Sequence, residues 1–311
     1  MTEREGATRL FATAAVANEN DFTTGDWLLF GSISLIWGAS FLLIAESLEA
    51  FTPGMVTLGR VGLGAITLGV LRAFTEPGRR IDAEDRARVV LLALLWVAVP
   101  FTLFPLAQQW INSAVTGLLN GATPVLVAIV SAVFVRVFPR GVQLVGLAVG
   151  FVGILLVSLG SAGEGSSQAQ GVLLVLAATL CYGFAFNIAP QLQAKYGAVV
   201  LMSSVLSIAT VATVPYAIVD LGSNEWDPTA AAALVGLGAV GTGVAYWVMA
   251  SLVGRVGSIR ASFITYLIPV VALVLGVAVR GDDVTVLALI GAPITIAGAI
   301  LAGRRAEAGA K

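Results

Sequence analysis

An apolar run interrupted by a proline occurs twice in this sequence, and the two copies constrain the fold more than any other feature. The first copy spans residues 113–135 with Pro124, and the second spans residues 258–280 with Pro269, so the prolines are 145 positions apart. The same offset relates further pairs without a gap: Trp37 and Tyr182, Phe41 and Phe186, Phe101 and Tyr246, Gly146 and Gly291, and Gly153 and Gly298. A fixed offset held over half the chain indicates an internal duplication.

The composition predicts that this duplicated chain lies in a lipid bilayer. Of its 311 residues, 58% are hydrophobic and 11% are charged, and the mean hydropathy is +0.95. A soluble domain of this size exposes too much surface to conceal so much apolar area. The net charge of −1 gives no basic field for nucleic acid. Histidine is absent, which removes histidine-based metal sites and nucleophile pairs. No cofactor or metal is expected, and the single cysteine, Cys181, is interpreted as a packing residue.

The apolar runs predict an all-α integral membrane protein with ten transmembrane helices, because a span needs about 20 apolar residues. The predicted spans are residues 27–45, 53–74, 89–109, 113–135, 141–160, 170–192, 199–219, 229–252, 259–279 and 284–303. The matching domain division is a disordered cytoplasmic tail (1–26), a first five-helix repeat (27–160), a linker (161–171), a second five-helix repeat (172–303) and a cytoplasmic tail (304–311).

The distribution of Lys and Arg predicts a protein of the inner (plasma) membrane with both termini in the cytoplasm. With the N-terminus inside, fifteen of the 17 basic residues fall in cytoplasmic segments, whereas Arg280 falls outside and Arg60 falls within the membrane. Each half has an odd number of spans, so the second half enters the membrane from the opposite side. The halves are therefore expected to be inverted repeats, an arrangement suited to alternating access around a midplane site.

The paired prolines are candidate hinges. Pro124 and Pro269 each remove a backbone donor and clash with the carbonyl four residues earlier, which belongs to Asn120 or Thr265. Loosened helices at matching positions of inverted halves point to a binding site formed by these two polar residues. The alternative is a plain packing kink, since proline is common in membrane helices.

Aromatic and polar side chains in the middle of the first and sixth spans are further candidates for substrate contact. They are Trp37, Ser40, Phe41, Tyr182, Phe186 and Asn187. A spacing of three or four residues places the members of each set on one helix face. The alternative is that these rings pack in the core or face lipid.

Arg60 is the only cation predicted inside a span. Its helix begins at Pro53, so Arg60 lies about 10 Å below the external face at a rise of ~1.5 Å per residue. A charge at this depth is a candidate substrate-binding group, which would hold a carboxylate if it reaches the cavity. The alternatives are a salt bridge to Glu46 or snorkelling to the interface. Because no Asp or Glu lies clearly inside a span, the sequence favours a facilitator or exchanger over a proton-driven pump.

The chain resembles the EamA family of the drug/metabolite transporter superfamily over residues 27–303. Residues 36–41, Ile-Trp-Gly-Ala-Ser-Phe, resemble the family's opening W-G-x-x-F run, and residues 58–60, Leu-Gly-Arg, resemble its arginine early in the second span. Residues 257–269 with Gly276 resemble its ninth-span pattern ending in proline. The chain departs from the family at Ala45, where members often carry a lysine.

The resemblance implies a bacterial inner-membrane carrier, often an exporter of amino acids or other small metabolites. It implies a central cavity lined by the first, third, fourth, sixth, eighth and ninth spans, which by position hold Trp37, Phe101, Gln108, Asn120, Phe186, Asn187, Tyr246 and Thr265. The expected partners are a small-molecule substrate and the bilayer, with the chain as a monomer or homodimer.

Two other classes of function compete with a transporter. An intramembrane enzyme is disfavoured, because hydrolysis of the rhomboid type needs a histidine base and lipid-headgroup transfer needs clustered membrane carboxylates. A non-transporting membrane subunit or sensor is the second alternative, although a scaffold gains little from inverted symmetry.

Overall fold

The computed structural model describes most of the chain between the two termini. The described residues are 23–134, 141–161, 166–219, 221–256, 261 and 264–302. Several sequence predictions therefore fall outside the described residues: most of the N-terminal tail, the middle of the linker, the C-terminal tail, the 257–260 part of the ninth-span pattern, and the basic residues Arg136, Arg140, Arg260, Arg304, Arg305 and Lys311.

The predicted all-α membrane architecture is confirmed. Helices follow one another along the described chain in this order: α1 (Thr24–Ser47), α2 (Pro53–Thr75), α3 (Ala83–Ala107), α4 (Ser113–Asn120 and Thr123–Phe134), α5 (Val142–Ser161), α6 (Ser166–Tyr196), α7 (Ala198–Val219), α8 (Pro228–Val256), α9 (Ile264–Arg280) and α10 (Val286–Ala302). Helices α1 to α8 are long and apolar enough to cross a membrane, and α9 and α10 are shorter apolar helices. The described residues contain no strand.

Helix α1 begins three residues before the predicted start of the first span. The Thr23 side chain accepts a hydrogen bond from the backbone N–H of Asp26, and the Asp26 carboxylate accepts one from the backbone N–H of Thr23. This capping box satisfies donors that the first helical turn leaves free. The predicted start follows the first apolar residues, whereas two polar side chains, Thr23 and Asp26, fix the actual start of the helix.

The packing of the helices follows the duplication. Helix α2 packs along α7 and α5 along α10, and the members of each pair are repeat mates. Helix α1 packs on α9, and α6, the mate of α1, packs on α4, the mate of α9. Exchanging the two halves therefore reproduces the same helix contacts, as two inverted five-helix repeats require.

Helix α4 differs from the sequence prediction of one continuous kinked span. It stops at Asn120, turns through Gly121 and Ala122, and restarts at Thr123, so Pro124 lies in the first turn of a new helical piece. Proline is well tolerated in a first turn, where its missing N–H has no helical partner. The Asn120 carbonyl accepts a hydrogen bond from the Thr123 hydroxyl at 2.7 Å. Pro269, by contrast, lies inside the helical stretch Ile264–Leu275.

Helices α3 and α8, which are repeat mates, both contain π-helical turns that the sequence analysis did not predict. The segments are Leu94–Ala98 and Gly236–Val244. Shifted by the repeat offset, the first falls on residues 239–243, inside the second. A π-helical turn accommodates an extra residue and re-aims the neighbouring side chains, and such turns occur frequently at functional sites. Trp96 and Thr242 lie in these two segments.

Glycines allow α5 and α10 to cross at backbone contact. A Cβ atom added to Gly298 would lie 2.1 Å from the backbone nitrogen of Gly150, and one added to Gly153 would lie 2.4 Å from the backbone nitrogen of Thr295. Since lipid tails are as apolar as leucine, association of membrane helices depends on close packing of this kind. This crossing joins the last helix of each half.

We expect Gly298→Leu to lower the melting temperature of the purified protein. The added side chain forces α5 and α10 apart, and overpacking of this kind costs about 1–3 kcal/mol. Gly31→Leu is the control, because a Cβ at Gly31 meets no atom within 4 Å. Thermal unfolding in detergent measures both variants, and equal melting temperatures would contradict the close crossing.

Candidate functional site

An aromatic cluster lies where α1, α3, α6 and α8 meet. Its members are Trp37, Phe41, Trp96, Phe104, Tyr182, Phe186 and Tyr246. Neighbouring rings lie 5.4–6.3 Å apart between centroids, mostly edge to face, while Tyr182 and Phe186 stack at an interplanar angle of 24°. These are the favourable arrangements of aromatic pairs. Five of the seven rings belong to predicted site residues, which the structure brings together.

Arg60 of α2 lies buried against this cluster, with 6% of its surface exposed. Its guanidinium carbon is 3.7 Å from the centroid of the Phe101 ring, a cation–π contact. Its Nε donates a hydrogen bond of 3.3 Å to the Thr242 hydroxyl. Tyr182 and Tyr246, both members of the cluster, are titratable side chains in the neighbourhood of the Arg60 charge.

The two structural alternatives for Arg60 are wrong. Glu46 instead accepts a hydrogen bond from Arg280 at 2.7 Å, and no carboxylate among the described residues forms an ion pair with Arg60. Snorkelling to the interface requires an exposed guanidinium, whereas Arg60 is buried on the Phe101 ring. The sequence correctly predicts that Glu46 lies near the end of its span. The direction of its side chain determines that its partner is Arg280 and not Arg60.

Two of the predicted polar contacts are engaged within the protein. The side-chain oxygen of Asn187 accepts a hydrogen bond of 2.8 Å from the Ser131 hydroxyl, and its amide nitrogen donates one of 2.7 Å to the Gly183 carbonyl. The Ser40 hydroxyl donates to the Ile36 carbonyl, one turn back in α1. Asn187 therefore ties α6 to α4 in this conformation.

Asn120 and Thr265 lie on α4 and α9, whose crossing borders the aromatic cluster. The helices meet where a Cβ added to Gly121 would lie 2.9 Å from the Pro269 ring. One turn away, a Cβ on Gly117 would lie 3.2 Å from the Phe41 ring. Both polar residues are half-buried. The break of α4 thus lies beside the predicted hinge proline of the other half.

Gln108 links the cluster to a crevice at the predicted external end. This crevice has a volume of about 790 Å³, and its lining includes Gln108, Glu49, Arg280 and Asp282. Gln108 donates a hydrogen bond from Nε2 to the Phe41 carbonyl at 3.2 Å, whereas its buried Oε1 has no partner among the described residues. Phe104 lies one turn before Gln108 on α3, so one face of α3 runs from the crevice to the cluster.

Ion pairs join the helix ends at the predicted external side. Arg280, at the end of α9, donates hydrogen bonds of 2.7 Å to both Glu46 and Glu49 at the end of α1. The Asp282 carboxylate accepts from the Ser113 hydroxyl at 2.5 Å and from the Ala114 N–H at 2.8 Å, at the start of α4. These contacts hold α1, α4 and α9 together above the aromatic cluster.

A second ion-pair cluster closes the predicted cytoplasmic side. The Lys195 ammonium lies 2.7–2.9 Å from carboxylate oxygens of Asp82, Glu84 and Asp85. The Tyr196 hydroxyl donates a hydrogen bond to Asp85 at 2.7 Å and lies 3.0 Å from the Asp82 carboxylate. Three such carboxylates are a possible metal-binding group, but the lysine ammonium lies where a metal cation would bind.

The Asp82 carboxylate of this second cluster stays ionised in the neutral pH range. Hydrogen bonds from Lys195 and from Tyr196 hold the pKa of Asp82 below its usual value of 3.8. A carboxyl whose pKa is depressed by folding contributes stability above its unfolded pKa, and this contribution is lost as the pH falls through the folded value. The Asp82 carboxylate therefore stays ionised at neutral pH, and its contribution is lost only as the pH falls through its lowered pKa.

Sequence reasoning missed several residues of this region. Trp96 connects Phe186 to Tyr246, and its position in the middle of a span, away from the interfaces, was the available signal. Thr242 lies in a glycine-rich stretch that was interpreted as a site of close helix packing. Lys195 entered the sequence analysis only as one of the basic residues that predict the orientation. The π-helical turns that aim Trp96 and Thr242 inward have no recognised sequence signature.

Comparison with known proteins agrees with this architecture. A solved crystal structure superposes with a TM-score of 0.63 over 90% of this chain and 97% of the other, at 18% identity, and shows a common fold. The uncharacterized transporter YdfC of Bacillus subtilis (strain 168) is 25% identical over 85% of this chain and 86% of its own.

A second relative carries a more specific name. The probable terminal-alkyne amino-acid exporter of Streptantibioticus cattleyicolor is 24% identical over 90% of this chain and 93% of its own. The EamA-like transporter family matches residues 23–159 and 169–304, one match for each half of the duplication. This chain therefore belongs to the EamA-like transporter family and is a multi-pass membrane transporter.

Proposed function

We propose that this protein exports small metabolites, amino acids among them, by alternating access around a cavity at the aromatic cluster. The observation that carries the proposal is the pair of ion-pair clusters, centred on Arg280 and Lys195, at opposite ends of the helices that surround Arg60. Opening one cluster while the other stays closed exposes the centre to one side at a time. The name of the exporter relative supports amino acids as substrates.

The proposed hinges are Pro124 and Pro269. The interruption at Gly121 and Ala122 frees α4 from continuous helical hydrogen bonding at the point where it meets Pro269. Small rotations of α4 and α9 about this crossing change the separation of the helix ends that Arg280 and Asp282 hold together. Asn120 and Thr265 line the proposed cavity beside these hinges.

The proposed orientation places both termini in the cytoplasm of a bacterial inner membrane, with repeats over residues 27–160 and 172–303. The basic residues that support it are concentrated in the segments between α2 and α3 and at the two ends of the chain. In this orientation, no carboxylate of the described spans lies near the midplane, and a proton gradient is not the obligatory energy source.

Asn120→Ala and Thr265→Val are expected to slow transport of the natural substrate by about two- to tenfold, the worth of one hydrogen bond. Uptake into proteoliposomes without a pH gradient measures the rate. Expression and melting temperature should stay near those of the unsubstituted protein. Thr75→Val, at the exposed end of α2, is the control. Unchanged rates in both cavity variants would place the site elsewhere.

Breaking one ion-pair cluster is expected to favour opening at that end. In a Cys181→Ala background, the Gln108→Cys variant should react with an impermeant maleimide from outside. Arg280→Gln should raise this labelling rate and Lys195→Ala should lower it, each by about two- to fivefold.

The matched control for this labelling experiment is Arg88→Gln at the predicted cytoplasmic end. Arg88 makes a single long contact of 3.7 Å to Asp85, so its loss should leave the rate unchanged. If Arg280→Gln and Lys195→Ala shifted labelling in the same direction, the two clusters would not act as opposing closures.

Reporter fusions test the orientation. A fusion after Lys311 and a fusion within residues 76–82, between α2 and α3, should both report the cytoplasm. The physical reason is the excess of basic residues in these segments. A periplasmic report from either position would show that the predicted orientation or the predicted number of spans is wrong.

A further inference from the structure

Resting on the proposed function, we propose that Arg60 is the anchor for a carboxylate, so that the transported substrate is an acid with a single carboxylate and a flat, apolar body. The site comprises Arg60 as the cation and the aromatic cluster as its walls. This narrows a general metabolite exporter to one class of substrate.

The guanidinium has donors to spare. Arginine carries five N–H donors in a planar fork, and only the Nε–H is used, by Thr242. Among the described residues neither Nη nitrogen of Arg60 has a hydrogen-bond partner. The buried polar atoms that lack a partner in the described part of the chain are Gln108 Oε1 and Ser158 Oγ. The Nη groups of Arg60 also lack a partner but are not among these buried atoms. They therefore belong to the small part of Arg60 that is exposed. A carboxylate matches this fork with two parallel hydrogen bonds.

The charge requires an anion. Arg60 is the only buried basic side chain of the described residues, and it has no carboxylate partner there. Buried charges are normally paired, because desolvation without compensation is costly. The cation–π contact with Phe101 offsets part of this cost. A bound carboxylate supplies the missing countercharge.

The number of acidic groups on the substrate follows from the single buried cation. A single cation neutralises one negative charge, which fits a carboxylate. A phosphate monoester carries about −1.5 to −2 at neutral pH and would be left undercompensated. Arg72 and Arg280 lie toward the helix ends, where Arg72 is hydrogen-bonded and Arg280 is paired with carboxylates. The substrate therefore carries a single carboxylate, with or without an ammonium group.

The walls indicate the body of the substrate. The Tyr182 and Phe186 rings are stacked, with centroids 5.9 Å apart. Trp96 contacts both Phe186 and Tyr246 edge to face, and Trp37 contacts Tyr246 in the same way. Ring faces and edges of this kind favour a planar, apolar group. Neither the Tyr182 nor the Tyr246 hydroxyl has a hydrogen-bond partner within the described residues, so both are available to a second polar atom of the substrate.

Plain carboxylic acids and amino acids share this chemistry. An α-ammonium group would lie beside the carboxylate, where the tyrosine rings and hydroxyls are available. Gln108, the unsatisfied acceptor, lies seven residues beyond Phe101 on α3, which is about 10 Å along a helix. Gln108 therefore belongs to the crevice end of the site.

The test compares acids with their amides on the purified full-length protein. 3-Phenylpropionate and phenylalanine, but not 3-phenylpropionamide or phenylalaninamide, should raise the melting temperature, and calorimetric titration should give the affinities. Arg60→Gln should weaken binding of both acids by roughly ten- to hundredfold, the range for hydrogen bonds to charged groups. Arg60→Lys should restore part of it, because an ammonium keeps the charge without the fork.

Arg72→Gln is the matched control, since Arg72 lies on the same helix but bonds to Ser203 at 2.7 Å near its end. It should bind the acids as the unsubstituted protein does. Without ligand, Arg60→Gln should melt at the same or a higher temperature, because it removes an uncompensated buried charge; a purely structural Arg60 would give a lower one. Equal binding of acid and amide by the unsubstituted protein would overturn the inference, even if Arg60→Gln failed to fold.

Two further outcomes separate this inference from the proposed function. Transport of a neutral amide as fast as its acid, unaffected by Arg60→Gln, would overturn the carboxylate anchor and leave the transporter standing. Arg60-dependent binding of the acids with no transport into proteoliposomes would support the anchor and overturn the proposed export. Weaker binding of phenylalanine than of 3-phenylpropionate would identify plain acids as the source of the carboxylate.

Discussion

Every backbone amide in the hydrocarbon core of a bilayer must find its partner inside the protein, and this constraint explains where the chain is regular and where it is not. Regular helices satisfy it locally. The described irregularities in mid-span, the break at Gly121 and Ala122 and the π-helical turns at Leu94–Ala98 and Gly236–Val244, lie on helices that surround the aromatic cluster. Irregular backbone at membrane depth is tolerated where protein surrounds it. The irregular turns therefore coincide with the candidate site.

The duplication builds the frame, and divergence between the halves builds the site. Glycines at equivalent positions, such as Gly153 and Gly298, bring α5 and α10 into contact. At the centre the mates differ: the offset pairs Arg60 with Val205 and Trp96 with Gly241. Val205 is fully buried in the apolar core. The symmetric frame thus holds one charge, on one side, against a wall of rings drawn from both halves.

The sequence predicted the frame better than the contacts. Apolar length and the fixed offset identify helices and their pairing, because both depend on many residues at once. Trp37 and Phe186 were predicted from mid-span position and Tyr246 from the family resemblance, and their rings belong to one aromatic cluster with Arg60 buried nearby. The engagement of Asn187 by Ser131 and the pairing of Glu46 with Arg280 depend on side-chain direction across 56 and 234 residues. No local pattern encodes such contacts, and the π-helical turns likewise depend on tertiary packing.

The placement of charge in this protein follows a simple electrostatic order. Paired charges stand at the helix ends, where each pair can exchange its partner for water when it opens, at little net cost. The unpaired charge of Arg60 stands in the centre, where water is scarce and an interaction with an anion is strongest. A resident carboxylate beside Arg60 would satisfy the arginine permanently and compete with any acidic substrate. Leaving the charge uncompensated raises the free energy of the empty site. An anionic ligand that binds there removes this penalty, which increases its affinity. The absence of acidic side chains around Arg60 in the described structure is thus the arrangement that the proposed carboxylate anchor requires.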